Sequence, residues 1–178
     1  MDELPEEDQF LDTTMSYCVR VFTLILLTFT TTSLAGELQD LSGIVIRIVD
    51  GDTIVLESQG DRHRVRLSGI DAPERNQPWG DVSTRELRRQ IAGKAVVVEW
   101  RKRDRWKRII GVIKLKGNDV NKHMVERGLA WHYKKYQSEQ TPEDRVEYAA
   151  AETAAQGAKR GLWSVSNSIP PWAWRRRK

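Results

Sequence analysis

The amino-acid sequence predicts an α+β domain, mainly β: a five-stranded barrel with about three α-helices packed on it. Three observations predict it. Five short runs rich in β-branched residues recur between Leu41 and Leu115, and turn signals built on Gly and Asp separate several of them. Helical patterns are inserted after the third run and after the fifth. The length, 178 residues, is enough for one domain with a substantial core and not for two.

The elements follow in order. Leu41 to Val49 (LSGIVIRIV) is a strand with polar Ser42 and Arg47 interspersed. Asp50-Gly51-Asp52 is a turn, and Thr53 to Glu57 (TIVLE) is the return strand. Ser58-Gln59-Gly60-Asp61 turns the chain into His63 to Ile70, where Val65 and Leu67 alternate with Arg66 and Ser68. One face of that strand is buried and the other wet. Pro73 and Pro78 interrupt regular structure. Asp81 to Ala92 then spaces Val82, Leu87 and Ile91 for a helix that Gly93 ends. Lys94 to Trp100 and Arg108 to Leu115 are the fourth and fifth strands, joined by a charged link, Arg101 to Lys107, expected to be a mobile loop. Asn118-Asp119 caps a helix over Val120 to Arg127, and Gly128 closes it. Thr141 and Pro142 open an alanine-rich helix that runs to Gln156. No internal repeat is present. Five strands with helices in these places match an OB-fold, a partly open barrel whose face suits oligonucleotides.

Three segments are expected: a leader over residues 1–35, a domain over 36–165 and a basic, aromatic tail over 166–178. Val19 to Phe29 is apolar apart from Arg20, Thr23 and Thr28. That run is too short for a bilayer, which needs about 20 apolar residues. Ser33-Leu34-Ala35 offers small residues at the positions a signal peptidase reads, so cleavage after Ala35 is expected. The acidic stretch before Met15 is unusual for a leader, and Met15 is an alternative start. The leader predicts a secreted or periplasmic protein; the competing reading is an uncleaved membrane anchor. After cleavage no stable membrane association is expected, and the protein is read as a monomer. Cys18, the one cysteine, lies in the leader, so the domain has neither a disulfide framework nor a cysteine zinc site.

Charge narrows the partner. The chain carries a formal +4, but six of its 25 acids and only one of its 29 Lys and Arg precede residue 36. The rest carries +9. Such a surplus favours a polyanion, because Lys and Arg neutralise phosphates and release counterions.

Asp52 and Asp71 each stand where a strand meets a turn. Singly they read as turn residues; together they offer a hard cation two carboxylates from strand ends. Glu74 follows Pro73 and can act as a base toward water. Arg66 lies on the polar face of its strand, and Arg108 opens the fifth. A guanidinium stays charged and forks two hydrogen bonds onto a phosphate. His63, His123 and His132 are scattered, which argues against both a zinc site and a metal-free histidine acid–base pair.

Asp50-Gly51-Asp52-Thr53, Arg66-Leu67-x-Gly69-Ile70-Asp71-Ala72-Pro73-Glu74, Arg108, Asp119-Val120-Asn121 and Gly128-Leu129-Ala130 together resemble the staphylococcal nuclease family, from about Gly43 to Trp163. The resemblance implies an OB-fold and a Ca²⁺-dependent endonuclease acting on DNA and RNA, with 3′-phosphate products. It implies Asp52 and Asp71 as Ca²⁺ ligands, with the backbone carbonyl of Ala72. It implies Glu74 as general base, or as the group that orients the attacking water, and Arg66 and Arg108 as phosphate-binding catalytic residues. Ala72 replaces a threonine of the founding member. Arg105-Trp106-Lys107 replaces a usual Tyr-Gly pair, and Trp106 can still stack on a base. Tyr133 and Tyr136 loosely match nucleotide-contacting tyrosines. The tail, Pro170 to Lys178 (PPWAWRRRK), is an arm able to pair with phosphate and stack on bases. The alternative is a non-catalytic OB-fold adaptor that binds nucleic acid. It would lack one or more of the two acids, the base and the two arginines, and all five are present.

Overall fold

A computed structural model describes residues 37–177 of the chain. The leader, Cys18 and the cleavage position lie outside the described residues.

Three antiparallel strands open the fold: β1 (Gln39–Ile48), β2 (Thr53–Ser58) and β3 (Asp61–Leu67). β5 (Ala95–Arg103) pairs with β1, and β6 (Ile109–Leu115) pairs with β5. β6 then lies parallel to β3, matching Val65 to Ile109, Arg66 to Ile110 and Leu67 to Gly111. That pairing closes a five-stranded barrel in the order β3-β2-β1-β5-β6, with β7 (Asn118–Asp119) outside as a sixth strand. The predicted OB-fold barrel is the observed one.

Closure needs strong twist. Two register shifts supply it, at Val45/Arg47 in β1 and at Trp100/Lys102 in β5, because a bulge bends its strand and tightens its twist. Inward residues alternate as a barrel requires. Ile54, Leu56, Val65, Leu67, Val98, Ile109 and Ile113 are all essentially inaccessible to solvent.

Helices cover the barrel. Helix α1 (Gly80–Ile91) buries Leu87 and Ile91 in the core. Helix α2 (Val120–Glu126) buries Val120, Met124 and Val125, and the Asp119 carboxylate caps it through the Lys122 N–H. Helix α3 (Pro142–Gly157) starts at Thr141, whose hydroxyl accepts from the Asp144 N–H. A fourth, short helix, α4 (Pro171–Trp174), was not expected from the sequence. Among the described residues no helix is long and apolar enough to cross a membrane.

The link Arg101 to Lys107 departs from expectation. β5 continues to Arg103, and the chain reverses in a tight turn held by Asp104, whose carboxylate accepts from the N–H groups of Trp106 and Arg108. One Asp at the turn's first position is enough to organise a run of like charges. The third strand also ends early. Ser68 and Gly69 (φ 73°) turn the chain out of β3 into β4 (Ile70–Asp71), which pairs with β8 (Trp131–His132). A two-residue ladder leaves no periodicity to read in advance.

Candidate active site

The site forms where β2, β3 and β4 meet at the barrel rim. The β1–β2 turn is pinned twice. The Asp50 carboxylate accepts from the Asp52 N–H at 3.1 Å, and the Asp52 carbonyl accepts from the Leu67 N–H at 2.8 Å. Asp52 is thereby fixed against the end of β3. Asp71 is brought in by β4. Its turn is tied to β6, since the Ser68 N–H donates to the Gly111 carbonyl and the buried Asn121 amide donates to both the Ser68 and Gly111 carbonyls.

Arg66 then joins the two acids. Its guanidinium is 2.9 Å from Asp52 Oδ2 and 2.8 Å from Asp71 Oδ1. Asp52 Oδ2 also accepts from the Ala72 N–H at 2.7 Å. Side-chain exposure is 9% for Asp52, 1% for Asp71 and 14% for Arg66, so the trio is largely out of water. Glu74 is more open. Its N–H donates to Gln77 Oε1, and its carbonyl accepts from the Gln77 N–H. The same carbonyl packs against Gly80, where an added Cβ would come within 1.9 Å of it. Only glycine lets α1 start that close to the Glu74 loop.

The arm over residues 169–177 folds back onto this rim. Gln77 Nε2 donates to the Ile169 carbonyl at 2.6 Å, and Pro171 is buried. The Trp172 ring stacks on Tyr133 at 5.2 Å and 14°, and Trp131 meets Trp172 edge-on. This seats Arg175 on the acids. Its Nη2 lies 2.8 Å from Asp71 Oδ2, and its Nη1 lies 2.7 Å from Glu74 Oε1 and 3.3 Å from Asp71 Oδ1. The arm and the β8 segment also border a cavity of about 690 Å³, lined by Tyr133, Lys134, Lys135, Trp172, Arg175 and Arg176.

The expected residues divide accordingly. Asp52, Arg66, Asp71, Ala72 and Glu74 lie together at one rim. Arg108 leads into the strand beside Arg66, but its side chain clasps Asp104, Nε to Oδ2 at 2.8 Å, with its guanidinium 5.1 Å from the Trp106 ring. Tyr133 stacks on Trp172 and meets Tyr136 edge-on. Sequence reasoning missed Arg175 as a site residue. The arginine run in the tail was visible, but nothing in a separation of 104 residues pointed to Asp71.

Electrostatics describe an under-neutralised cluster. Asp52, Asp71 and Glu74 face Arg66 and Arg175. With all three acids ionised, the set would carry one net negative charge, and two without Arg175. Burial pushes the Asp52 carboxyl up to about 8, with Asp50 and Asp71 adding repulsion, while Arg66 and the Ala72 N–H oppose the shift. Partial burial disfavours the Arg175 charge, yet its hydrogen bonds to Asp71 and Glu74 outweigh that and raise its pKa. Desolvation would raise the Asp104 pKa, but Arg108 and nearby backbone N–H groups hold it below the usual carboxylate value.

A divalent cation would balance the excess. The donors are hard oxygens of two buried carboxylates, the type Ca²⁺ and Mg²⁺ take. Among the described residues no group of three or more His, Cys, Asp or Glu side chains is arranged to hold a metal. Two carboxylates with a backbone carbonyl fit an ion that keeps several waters, as both ions can.

Comparison with known proteins identifies the family. Residues 64–165 match the family described as Staphylococcal nuclease homologue. An uncharacterised endonuclease of Escherichia coli is 41% identical over 140 residues, covering 78% of this chain and 88% of that protein. An uncharacterised endonuclease of Haemophilus influenzae is 33% identical over 159 residues, covering 89% and 85%. A staphylococcal-like nuclease of Arabidopsis thaliana is 39% identical over 117 residues, covering 66% of this chain and 34% of that one. The chain belongs to the staphylococcal nuclease homologue family and is a nuclease, a hydrolase of ester bonds.

Proposed function

We propose that this nuclease is a Ca²⁺-dependent endonuclease that cleaves DNA and RNA with little sequence preference and leaves 3′-phosphate ends. The observation that carries the reading is the Arg66 bridge between two buried aspartates, one in the β1–β2 turn and one on β4, with Glu74 three residues beyond the second. Asp52, Asp71 and the Ala72 carbonyl would hold the ion, which when bound supplies positive charge against the phosphate.

The chain's own groups do the rest. Glu74, half exposed at the rim, accepts a proton from the attacking water through a carboxylate oxygen. Water attacks phosphorus and the bond to the 5′-oxygen breaks; that oxygen takes a proton from solvent and leaves as a 5′-hydroxyl, and the phosphate stays on the 3′ side. Arg66 is held in place before substrate arrives, so its charge is preorganised for the developing phosphorane. Arg108 joins it when its guanidinium leaves Asp104 for a phosphate oxygen. Weak sequence preference fits binding through charge and stacking rather than base edges. The leader-like residues 1–35 add export to the proposal, with the domain acting as a monomer.

Digestion of single- and double-stranded DNA and of RNA, with calcium or with EGTA, tests this. Cleavage is expected only with calcium, with 3′-phosphate ends. Glu74→Gln should lower turnover by about 10²–10⁴-fold with folding intact. Cleavage indifferent to EGTA, or nucleic acid bound but left whole with calcium present, would overturn it.

A further inference from the structure

Arg175 lies where an activating cation would have to act. Its two terminal nitrogens span Asp71 Oδ2 and Glu74 Oε1, at 2.8 and 2.7 Å. A third contact reaches Asp71 Oδ1 at 3.3 Å. Arg66 already holds Oδ1, so both oxygens of Asp71 are engaged by guanidinium groups. A divalent ion that takes Asp71 meets both positive charges at close range, and on Oδ2 it competes with Arg175 alone. Arg66 is the harder to move, because it sits on a barrel strand and is bound to Asp52 as well. Arg175 is on a short terminal arm and its side chain is 43% exposed.

We propose that the C-terminal arm is a tethered competitor for the site's cation. Without the ion, Arg175 neutralises the Asp71–Glu74 pair and covers the oxygens that bind metal and accept the water's proton. When the ion takes Asp71, it repels the guanidinium and the arm's end leaves. The inference rests on the reading of Asp52 and Asp71 as cation ligands.

The arm is built for this. It is anchored upstream of Arg175 by the Gln77–Ile169 hydrogen bond, by buried Pro171 and by the Trp172–Tyr133 stack. Only the last residues have to move. Tethering keeps the local concentration of Arg175 high, so modest contacts suffice to hold it. The contacts join opposite charges at hydrogen-bonding distance, which makes them stronger than neutral ones, and salt weakens them where they are exposed. The consequence is a higher calcium concentration for filling the site. Coupling is reciprocal, so calcium weakens arm docking by the same factor that docking weakens calcium binding.

Calorimetric titration with calcium chloride at low salt tests the proposal on the full chain. An arm docked about nine-tenths of the time lowers apparent affinity about tenfold, so Arg175→Ala should bind calcium about tenfold more tightly. Arg175→Gln should behave alike, and Arg177→Ala should stay within about twofold of wild type. Hydrogen exchange over residues 174–177, beyond the Trp172 anchor, should rise with calcium and fall with EGTA. Equal affinity in wild type and both Arg175 variants, with unchanged exchange in the arm, would overturn the arm's role and leave the calcium reading standing. No calcium binding by any variant would remove both.

Discussion

Arg66 and Arg175 clasp the same carboxylate, Asp71, and they are supported in opposite ways. Arg66 sits five residues away on β3, with its neighbours pinned by barrel hydrogen bonds. Arg175 is 104 residues away and arrives on a four-residue helix followed by one short turn. Its contacts are as short as those of Arg66, but fewer constraints stand behind them. A short distance thus says nothing about how replaceable a contact is. Burial and what holds the backbone decide that.

The largest effect should come from removing the fixed member. Arg66→Ala leaves two buried carboxylates without their shared partner, at a cost of about 3–5 kcal/mol in folding stability. Arg175→Ala should cost about 0–1 kcal/mol, because its side chain is substantially exposed and the arm's aromatic anchors remain. Urea denaturation of both variants without calcium compares them directly. Equal losses would mean that the arm belongs to the frame and is no removable lid.

A second test uses the charge that Arg66 leaves unbalanced. Burial raises the Asp52 pKa to about 8 in the cation-free fold, while the unfolded value is about 3.8. The folded form therefore holds a proton that the unfolded chain releases. Stability from that proton is fully present below about pH 4 and is lost as pH rises through about 8. The melting temperature in EGTA should fall from about pH 5 to pH 8, after allowance for other groups measured in Asp52→Asn. Calcium should flatten the decline by replacing the proton as counter-charge. Parallel declines with and without calcium would place Asp52 away from the ion.

The rim was legible in the sequence and the arm was not, for a physical reason. Asp52, Arg66, Asp71 and Glu74 all sit at strand ends or turns, and strands and turns leave local signatures such as Asp-Gly-Asp and alternating Val65-Arg66-Leu67. Once the strands pair, their ends converge. Arg175 reaches the rim through packing of Trp172 on Tyr133 and Trp131, a tertiary contact with no period in the sequence. The Arg101–Lys107 link was misread because its charges suggested a solvated loop, whereas Asp104 closes a tight hairpin. Arg108 was read as the first residue of the fifth strand and lies one residue before it, in the turn where it pairs with Asp104.

That pairing sets the smallest effect, in a third arginine clasp that touches neither Asp52 nor Asp71. Asp104 is held below the usual carboxylate pKa by Arg108, so its contribution is present above the unfolded pKa of about 3.8 and is lost as pH falls through the lowered folded value. Asp104→Asn keeps one oxygen for the Trp106 and Arg108 N–H groups, but it removes the charge and replaces the oxygen that accepts from Arg108 Nε–H by an amide donor. It should cost about 0.5 kcal/mol at neutral pH, and the cost should shrink as pH falls through the lowered folded value. Freed of its carboxylate, Arg108 should also reach a bound phosphate more readily, so the KM for single-stranded DNA should fall slightly while kcat holds. A higher KM would show that the clasp orients Arg108 for substrate rather than diverting it, which would group Arg108 with the fixed Arg66 instead of the displaceable Arg175.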